Sequence, residues 1–328
     1  MAGLVGVWLG EFAKMGRGAA PAADAGVGRR AQGEGESCKS KGSDGVVQEI
    51  TTRTRDSSIL LSDSEATPAL SIGNVGQLAV DLLVSSSRAR RVAYLDEPSV
   101  LPCAGNDAFG PDAVGDLALA LEAYESPSHR LAFIQQRSPI ITGMVVSFAK
   151  NVANFISSIE KDHVVILSSL DSGKRRIIDA SSDMQVYYLS SCNEDGSDPK
   201  CENLGWKKLE EYDPSQQRWK CLASLVEGGH LSEDMTGDPE EMTINDYYSS
   251  LPFAALFSAC KAKGLKVTCV LCYCSEGDNM PESFQLAEAA CKLVAQGPEQ
   301  FHGNGSNGWT IPLSWKSVYG PPPDLSIF

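Results

Sequence analysis

The chain has 328 residues, of which 42% are hydrophobic and 21% are charged, a composition typical of a globular protein with a sizeable core. Its 28 lysines and arginines stand against 42 aspartates and glutamates, which gives a net charge of −14. This balance argues against nucleic acid as a partner, because nucleic-acid-binding proteins neutralise phosphates with basic residues. No stretch approaches the roughly 20 apolar residues that a membrane-spanning helix needs. We therefore expect a soluble protein with no membrane partner.

The first 65 residues are rich in Gly, Ala and Ser and show no sustained hydrophobic period, which indicates a disordered extension. Acidic residues within this segment argue against an organelle transit peptide. From about residue 66 the pattern changes to alternating strands and helices. Residues 66–328 are therefore expected to form a single domain.

Strand and helix signals alternate through this domain. Residues 69–72 are expected to end a strand, residues 73–76 to form a tight turn, and residues 77–87 to form a helix. The other predicted strands are 91–95, 117–124, 131–137, 164–170, 186–190 and 265–273, and the other predicted helices are 142–161, 249–263 and 281–296. Such alternation is typical of an α/β layered sandwich around a mainly parallel or mixed sheet.

Residues 193–250 interrupt this alternation, with fourteen acidic residues against five basic ones. We interpret them as a solvated acidic insert, partly disordered, with a small ordered part around Trp206 and Trp219. An acidic docking surface for a basic partner is the alternative.

Ten cysteines are spread along the chain without a convincing signal peptide, so a reducing compartment is the expected setting. Cys269, Cys272 and Cys274 are close enough in sequence to suggest metal ligands. The segment around them is typical of a buried strand, in which residues three apart face opposite sides. We therefore expect Cys269 to point away from Cys272 and Cys274, and we expect no metal site there.

Two loops carry residue types that occur in functional sites. Gly73-Asn-Val-Gly76 lies between a strand and a helix, where a loop can cradle a phosphate, but the dinucleotide fingerprint needs a third glycine and a later acid. A tight structural turn is the preferred interpretation. Glu276 and Asp278 could act as paired carboxylates in acid–base or metal chemistry. A loop that caps the following helix explains them as well, and it is preferred.

Candidates for nucleophilic catalysis are few. The four histidines are His129, His163, His230 and His302. None has a persuasive catalytic partner in the sequence. Ser168 and Ser169 end a predicted strand, but the Gly-x-Ser-x-Gly pattern is absent. We assign no catalytic, cofactor-binding or metal-ligating residue.

Three segments match a known pattern. They are Ala69-Leu-Ser-Ile-Gly-Asn-Val-Gly-Gln-Leu78, Cys274-Ser-Glu-Gly-Asp-Asn279, and Trp309-Thr-Ile-Pro-Leu-Ser-Trp315 with Tyr319-Gly-Pro-Pro-Pro323. Together they closely resemble the proteasome assembly chaperone 2 family, in a plant form, over about residues 68–328. The resemblance implies a three-layer α/β/α sandwich similar in shape to nucleoside phosphorylases.

The resemblance also implies a function. It predicts a non-enzymatic chaperone, without cofactor, that pairs with proteasome assembly chaperone 1 and binds proteasome α subunits. The pair would promote assembly of the core-particle α ring and prevent off-pathway ring dimers, in cytoplasm and nucleus. The alternative is an enzyme with a nucleoside-phosphorylase-like or hydrolase-like site around residues 73–76 and 276–278.

Under this resemblance the two loops become structural or interface loops. Their residues are Gly73, Asn74 and Gly76, and Glu276, Gly277, Asp278 and Asn279. The tail, residues 320–328, is stiffened by prolines and is expected to leave the domain as an extended arm. Leu325, Ile327 and Phe328 are the candidate contact with the α ring. The chain ends Ser-Ile-Phe, and so lacks the penultimate Tyr of the C-terminal motif found in some assembly chaperones.

Overall fold

A mixed eight-stranded sheet forms the middle layer of the computed structural model, which describes residues 58–62, 71–109, 117–159, 163–175, 185–229, 244–296 and 308–317. The strands are β1 (Ser58–Ser62), β2 (Arg90–Tyr94), β3 (Ala104–Asn106), β4 (Leu117–Leu119), β5 (Leu121–Ser126), β6 (Leu131–Gln136), β7 (His163–Asp171), β8 (Val186–Ser190), β9 (Lys207–Lys208) and β10 (Val267–Cys274). The helices are α1 (Val75–Ser86), α2 (Val145–Ser158), α3 (Pro199–Asn203), α4 (Gln217–Glu227), α5 (Ile244–Ser250), α6 (Pro252–Ala262) and α7 (Met280–Leu293).

The central strands of the sheet are parallel. The strand order is β2-β5-β6-β1-β7-β10-β8-β9, and β6, β1, β7 and β10 all run in one direction. Outside them, β5 pairs antiparallel with β6, and β8 pairs antiparallel with β10. The predicted α/β sandwich around a mainly parallel or mixed sheet is confirmed.

Helices cover both faces of the sheet and give three layers. One hydrophobic cluster joins α2, α4 and α6 to the sheet, and a second joins α1 and α7 to the opposite face. Along β7, Val164 and Ile166 belong to the first cluster, whereas Val165 and Leu167 belong to the second. A strand covered on both faces is apolar at consecutive positions, as this one is at residues 164–167. Among the described residues, no helix combines the length and apolar character needed to cross a bilayer.

The cysteines of β10 face opposite sides of the sheet, as predicted. Cys269 packs in the cluster of α2 and α6, and Cys272 and Cys274 pack in the cluster of α1 and α7. All three side chains are buried. The period-two alternation of a strand therefore separates Cys269 from the other two.

One predicted helix is broken in two. The sequence predicted a single helix over residues 249–263, but α5 ends at Ser250 and α6 begins at Pro252. Leu251, between them, is extended at φ −78° and ψ 149°. A residue before proline disfavours the helical region, and proline is well suited to the first position of a helix. Pro252 therefore starts a new helix.

The position of β1 corrects the prediction for the first 65 residues. β1 lies in the middle of the sheet, where Ile59 pairs with Ala132 of β6 and with Val164 of β7. The expectation of disorder is therefore wrong for residues 58–62, and residues 1–57 lie outside the described part. The strand predicted to end over residues 69–72 is wrong at residues 71 and 72, because Ser71 lies outside any strand and Ile72 begins a 3-10 turn (Ile72–Asn74). Residues 69–70 lie outside the described part.

The strand predicted over residues 117–124 is interrupted at Ala120. β4 leaves the sheet to pair with β3 in a separate antiparallel ribbon, whereas β5 continues beside β6. Within the acidic insert, residues 193–229 are ordered through α3, β9 and α4. The ordered part predicted around Trp206 and Trp219 is confirmed, and both side chains are buried. Residues 230–243 lie outside the described part.

Candidate functional site

The turn before α1 and the loop before α7 meet at the carboxyl ends of β7 and β10. Gly73 has φ +62°, and a Cβ at this position would overlap the side-chain amide of Asn279. Asn74 is also in the left-handed region, at φ 55°. The structure thus brings Gly73 and Asn74 together with residues 277–279 into one surface, the loop surface, whereas Gly76 is buried in α1. The sequence predicted both loops but not their contact.

At Gly76, close packing of α1 against β7 requires a glycine. It lies in the first turn of α1, and a Cβ there would overlap the backbone carbonyl of Leu167 in β7. The helix therefore approaches the strand more closely than any side chain would allow. This close approach is a packing requirement of α1 against the sheet.

Side chains at the ends of two strands hold the turn in place. Ser169 Oγ donates a hydrogen bond to the Ile72 carbonyl at 2.8 Å and lies 2.9 Å from Ser71 Oγ. Cys274 Sγ donates to the same carbonyl at 3.1 Å. Burial raises the pKa of the Cys274 thiol to about 11, so the group stays protonated and remains a donor. Ser169 was a candidate nucleophile because it lies near the end of a strand. Its hydroxyl instead donates to a backbone carbonyl of the turn before α1.

A cavity of about 300 Å³ opens beside the two loops. Asn74, Gln77 and Asp81 line it from α1 and its turn, and Asp278 and Asn279 line it from the opposite loop. Trp315, from the 3-10 turn Leu313–Ser317, closes one side. The cavity is the place where the sequence located the candidate enzyme site.

Asp81, on the cavity wall, belongs to a buried ionic cluster. Arg137 Nη2 contacts Asp81 Oδ1 at 2.9 Å, and Arg137 Nε contacts Glu122 Oε2 at 2.8 Å. Gln135 Nε2 donates to Asp81 Oδ1 at 2.7 Å, and Tyr124 OH donates to Glu122 Oε2 at 2.8 Å. Burial raises the pKa of Asp81 and outweighs the opposing effect of Arg137. The sequence analysis missed this cluster, whose residues come from separate elements.

Two polar side chains of the second loop, Asp278 and Asn279, form hydrogen bonds with the backbone. Asp278 Oδ1 accepts a hydrogen bond from the Met280 backbone amide at 3.3 Å, at the start of α7. Asn279 Nδ2 donates to the Gly277 carbonyl at 3.1 Å. Glu276 is exposed. Asp278 thus satisfies one free amide of the helix start, which agrees with the capping interpretation. In the described ranges, no three His, Cys, Asp or Glu side chains lie close enough to hold a metal ion.

His163 belongs to a polar chain at the opposite end of the sheet. Its Nε2 lies 2.9 Å from Thr268 Oγ1, which lies 3.3 Å from Ser190 Oγ, and Ser190 Oγ donates to Asp198 Oδ2 at 3.0 Å. All four side chains are buried. Burial, assisted by Lys266, lowers the pKa of His163 to about 4. This series of hydrogen bonds links β7, β10, β8 and the start of α3. Because all four side chains are buried, we assign the series a structural role.

The remaining predicted residues fall in two groups. His129 lies in the turn between β5 and β6, where its Nδ1 is 2.8 Å from Ser126 Oγ. His230 and His302 lie outside the described residues, as do the candidate ring contacts Leu325, Ile327 and Phe328.

The fold defines the protein as an α/β/α sandwich. The polar side chains of its loop surface mainly form hydrogen bonds with the backbone of the two loops. The family model described as the PAC2 family matches residues 66–296. The chain belongs to this family. A relative from Danio rerio named Proteasome assembly chaperone 2 is 30% identical over 263 residues, which cover 77% of this chain and 90% of the relative. A relative of the same name from Nematostella vectensis is 31% identical and covers 67% of this chain and 84% of its own length.

A solved structure is similar to the chain as well. It is PbaA of Pyrococcus furiosus, described as an archaeal homolog of proteasome-assembly chaperone. It is 15% identical, with a TM-score of 0.49, and the match covers 73% of this chain and 81% of that protein. The homologues of this chain are proteasome assembly chaperones, as the resemblance of the sequence motifs predicted.

Proposed function

We propose that the chain is a non-enzymatic chaperone that pairs with proteasome assembly chaperone 1. The pair promotes assembly of the core-particle α ring and prevents off-pathway ring dimers, in cytoplasm and nucleus. The observation that carries the proposal is membership of the PAC2 family over residues 66–296. In addition, the chain matches relatives named Proteasome assembly chaperone 2 over most of their length. No cofactor, nucleic acid or membrane enters this function.

The geometry of the loop surface favours this proposal over the enzyme alternative. Asp278 caps α7, Ser169 holds the turn before α1, and Asp81 is bonded by Arg137 and Gln135. A general base has to be free to take a proton from a substrate. Groups already committed to internal bonds are better suited to holding loops in a fixed shape.

Co-expression with proteasome assembly chaperone 1 tests the pairing. We expect the chain expressed alone to be poorly soluble or to self-associate, because a face normally covered by a partner exposes apolar surface. With the partner, a one-to-one heterodimer is expected in size-exclusion chromatography with light scattering. A stable monomer that does not bind this partner would overturn the pairing.

The tail provides the proposed contact with the α ring. Leu325, Ile327 and Phe328 would bury their side chains in a pocket between α subunits, each contributing up to about 1.5 to 3 kcal/mol when completely buried. Removing residues 325–328 should weaken α-ring binding at least about tenfold, or about 1.4 kcal/mol, and leave the heterodimer intact. Ser326→Ala is the matched control, since it keeps the three apolar side chains. Equal affinity of the intact and truncated heterodimers, measured by interferometry, would move the contact to the body of the domain.

The enzyme alternative has a test of its own at the cavity. A ligand that binds only the folded state raises the melting temperature. Inorganic phosphate and a panel of nucleosides should leave the melting temperature unchanged if the chain is a chaperone. A concentration-dependent rise with a nucleoside would favour the enzyme.

A further inference from the structure

The C-terminal part of the described chain forms a strap, residues 309–317, that lies across α1 and α7. The backbone amide of Thr310 donates a hydrogen bond to Ser86 Oγ, at the end of α1, at 2.9 Å. Trp309 packs edge-on against Phe284 of α7, with the ring centroids 6.3 Å apart. The strap is therefore held on the two helices that cover one face of the sheet.

The two ends of α1 lie at opposite edges of the sheet. The Ile72 carbonyl, just before α1, accepts hydrogen bonds from Ser169 and Cys274, near the ends of β7 and β10. The Ser87 carbonyl, just after α1, accepts a hydrogen bond from Ser126, in the strand that turns into the start of β6. We call these the carboxyl edge and the amino edge, after the ends of the central parallel strands. The loop surface lies at the carboxyl edge.

The strap runs from the amino edge to the carboxyl edge. Thr310 lies at the end of α1, whereas Trp315 lines the cavity beside Gly73 and Asn74, at the start of the helix. Ser317 follows Trp315 by two residues and is the last described residue. The chain beyond Ser317 therefore starts beside the loop surface.

The length of the tail limits its reach. Eight residue steps separate Ser317 from Leu325, the first of the candidate ring contacts. A fully extended chain spans at most about 28 Å over that number of steps, whereas a compact domain of the size of residues 58–317 is roughly 45 Å across. The tail is too short to pass from the carboxyl edge around the domain to a pocket at the amino edge. A pocket that takes the tail therefore has to face the carboxyl edge.

We propose that the loop surface faces the α ring and forms a second contact with it, beside the tail. The inference rests on the proposed function, because it takes the pocket for the tail on the α ring as given. The surface and its rim expose the side-chain amide of Asn74 and the carboxylates of Glu276 and Asp278. The complementary ring surface presents hydrogen-bond donors, of which lysine and arginine bind carboxylates most strongly. Because Asn279 lies against Gly73, the two loops are held together, which lowers the ordering cost of binding.

Site-specific cross-linking locates the contact. The photoreactive residue p-benzoylphenylalanine is placed at position 276 of the full chain, in the heterodimer with proteasome assembly chaperone 1, and the complex is irradiated with purified α rings. We expect a cross-link to an α subunit. Position 194 is the matched control, because Glu194 is also an exposed glutamate but lies in the turn after β8, at the amino edge. This position is expected to give no cross-link to the ring.

Charge reversal at the same two positions provides a second measurement. Glu276→Arg should weaken binding of the heterodimer to the α ring about threefold, the size expected for one exposed ion pair, and Glu194→Arg should leave it unchanged. Interferometry measures both. The inference is overturned if the parent heterodimer binds the ring while position 276 gives no more cross-link than position 194, or if the two arginine variants bind alike. A parent heterodimer that does not bind the ring would instead refute the proposed function, and this inference with it.

Discussion

Arg137 holds both carboxylate oxygens of Asp81, through Nη2 at 2.9 Å and Nη1 at 3.3 Å. Arg137 follows β6 and Asp81 lies in α1, so the pair fastens the helix to the sheet beside the loop surface. The Nε of the same guanidinium reaches Glu122 of β5 at 2.8 Å. Arg91 Nη1 also reaches Glu122 Oε1 at 3.2 Å. Arg137 is therefore the cation shared by two carboxylates that are almost completely buried, and Arg91 is a second cation at Glu122.

Arg137→Met should destabilise the fold strongly. It removes the cation that Asp81 and Glu122 share and leaves Glu122 with Arg91. Breaking a buried ion pair from one side costs about 3 to 5 kcal/mol. The free energy of unfolding from urea denaturation measures the effect. Lys292→Gln removes an exposed i, i+4 partner of Glu288 and should change stability little. Similar values for the two variants would contradict the role given to the cluster.

Gly76→Ala should destabilise the fold, because its Cβ would overlap the Leu167 carbonyl and push α1 off β7. Overpacking of this kind costs about 1 to 3 kcal/mol. Gly105→Ala is the matched control, since a Cβ at Gly105 meets no atom within 4 Å. Urea denaturation of both variants provides the comparison, and an effect of equal size at the two positions would show that α1 can move away from the strand.

His163 should make stability fall as the pH drops from 6.5 towards 4. Its pKa is about 4 in the folded state, against 6.5 for an ordinary histidine, so the unfolded chain takes up a proton first in this window. Stability contributed by the neutral imidazole is complete above pH 6.5 and is lost progressively below it, by about 3 kcal/mol in total. Denaturation at a series of pH values should show a shallower dependence for His163→Gln than for the parent.

His129→Gln is the control for this experiment, because it changes a histidine in a surface turn. If His163→Gln keeps the pH dependence of the parent, the buried polar chain of Thr268, Ser190 and Asp198 has admitted a charged imidazole.

A pair of truncations should separate β1 from the residues before it. Removing residues 1–57 should leave the melting temperature nearly unchanged, since the sequence there has little capacity to offset the entropy of ordering. Removing residues 1–62 also deletes β1 and leaves β6 and β7 without their shared neighbour. We expect this shorter chain to aggregate or to lose its cooperative thermal transition. Equal melting temperatures would show that the sheet closes without β1.

The sequence predicted those elements whose signal is local. The continuous apolar run of β7 and the three- and four-residue hydrophobic steps of α2 indicate their structures directly. β1 was missed because Ser58–Ser62 has only three apolar residues within a polar, glycine-rich and serine-rich segment. The contact of Cys274 with Ile72 joins residues 202 positions apart, and periodicity carries no information on such pairs. The Asp81, Glu122 and Arg137 cluster was missed for the same reason.

The central place of β1 has a consequence for synthesis on the ribosome. The strand emerges among the first residues of the chain, but its neighbours, β6 and β7, begin only at Leu131 and His163. Sheets closed by contacts between distant residues form slowly, and strands that wait for partners are open to aggregation in the meantime. In the nascent chain, Ser58–Ser62 therefore has no neighbour until Leu131–Gln136 has left the exit tunnel, and its second edge stays unpaired until His163–Asp171 has followed. Synthesis therefore includes an interval in which the central strand of the sheet is exposed.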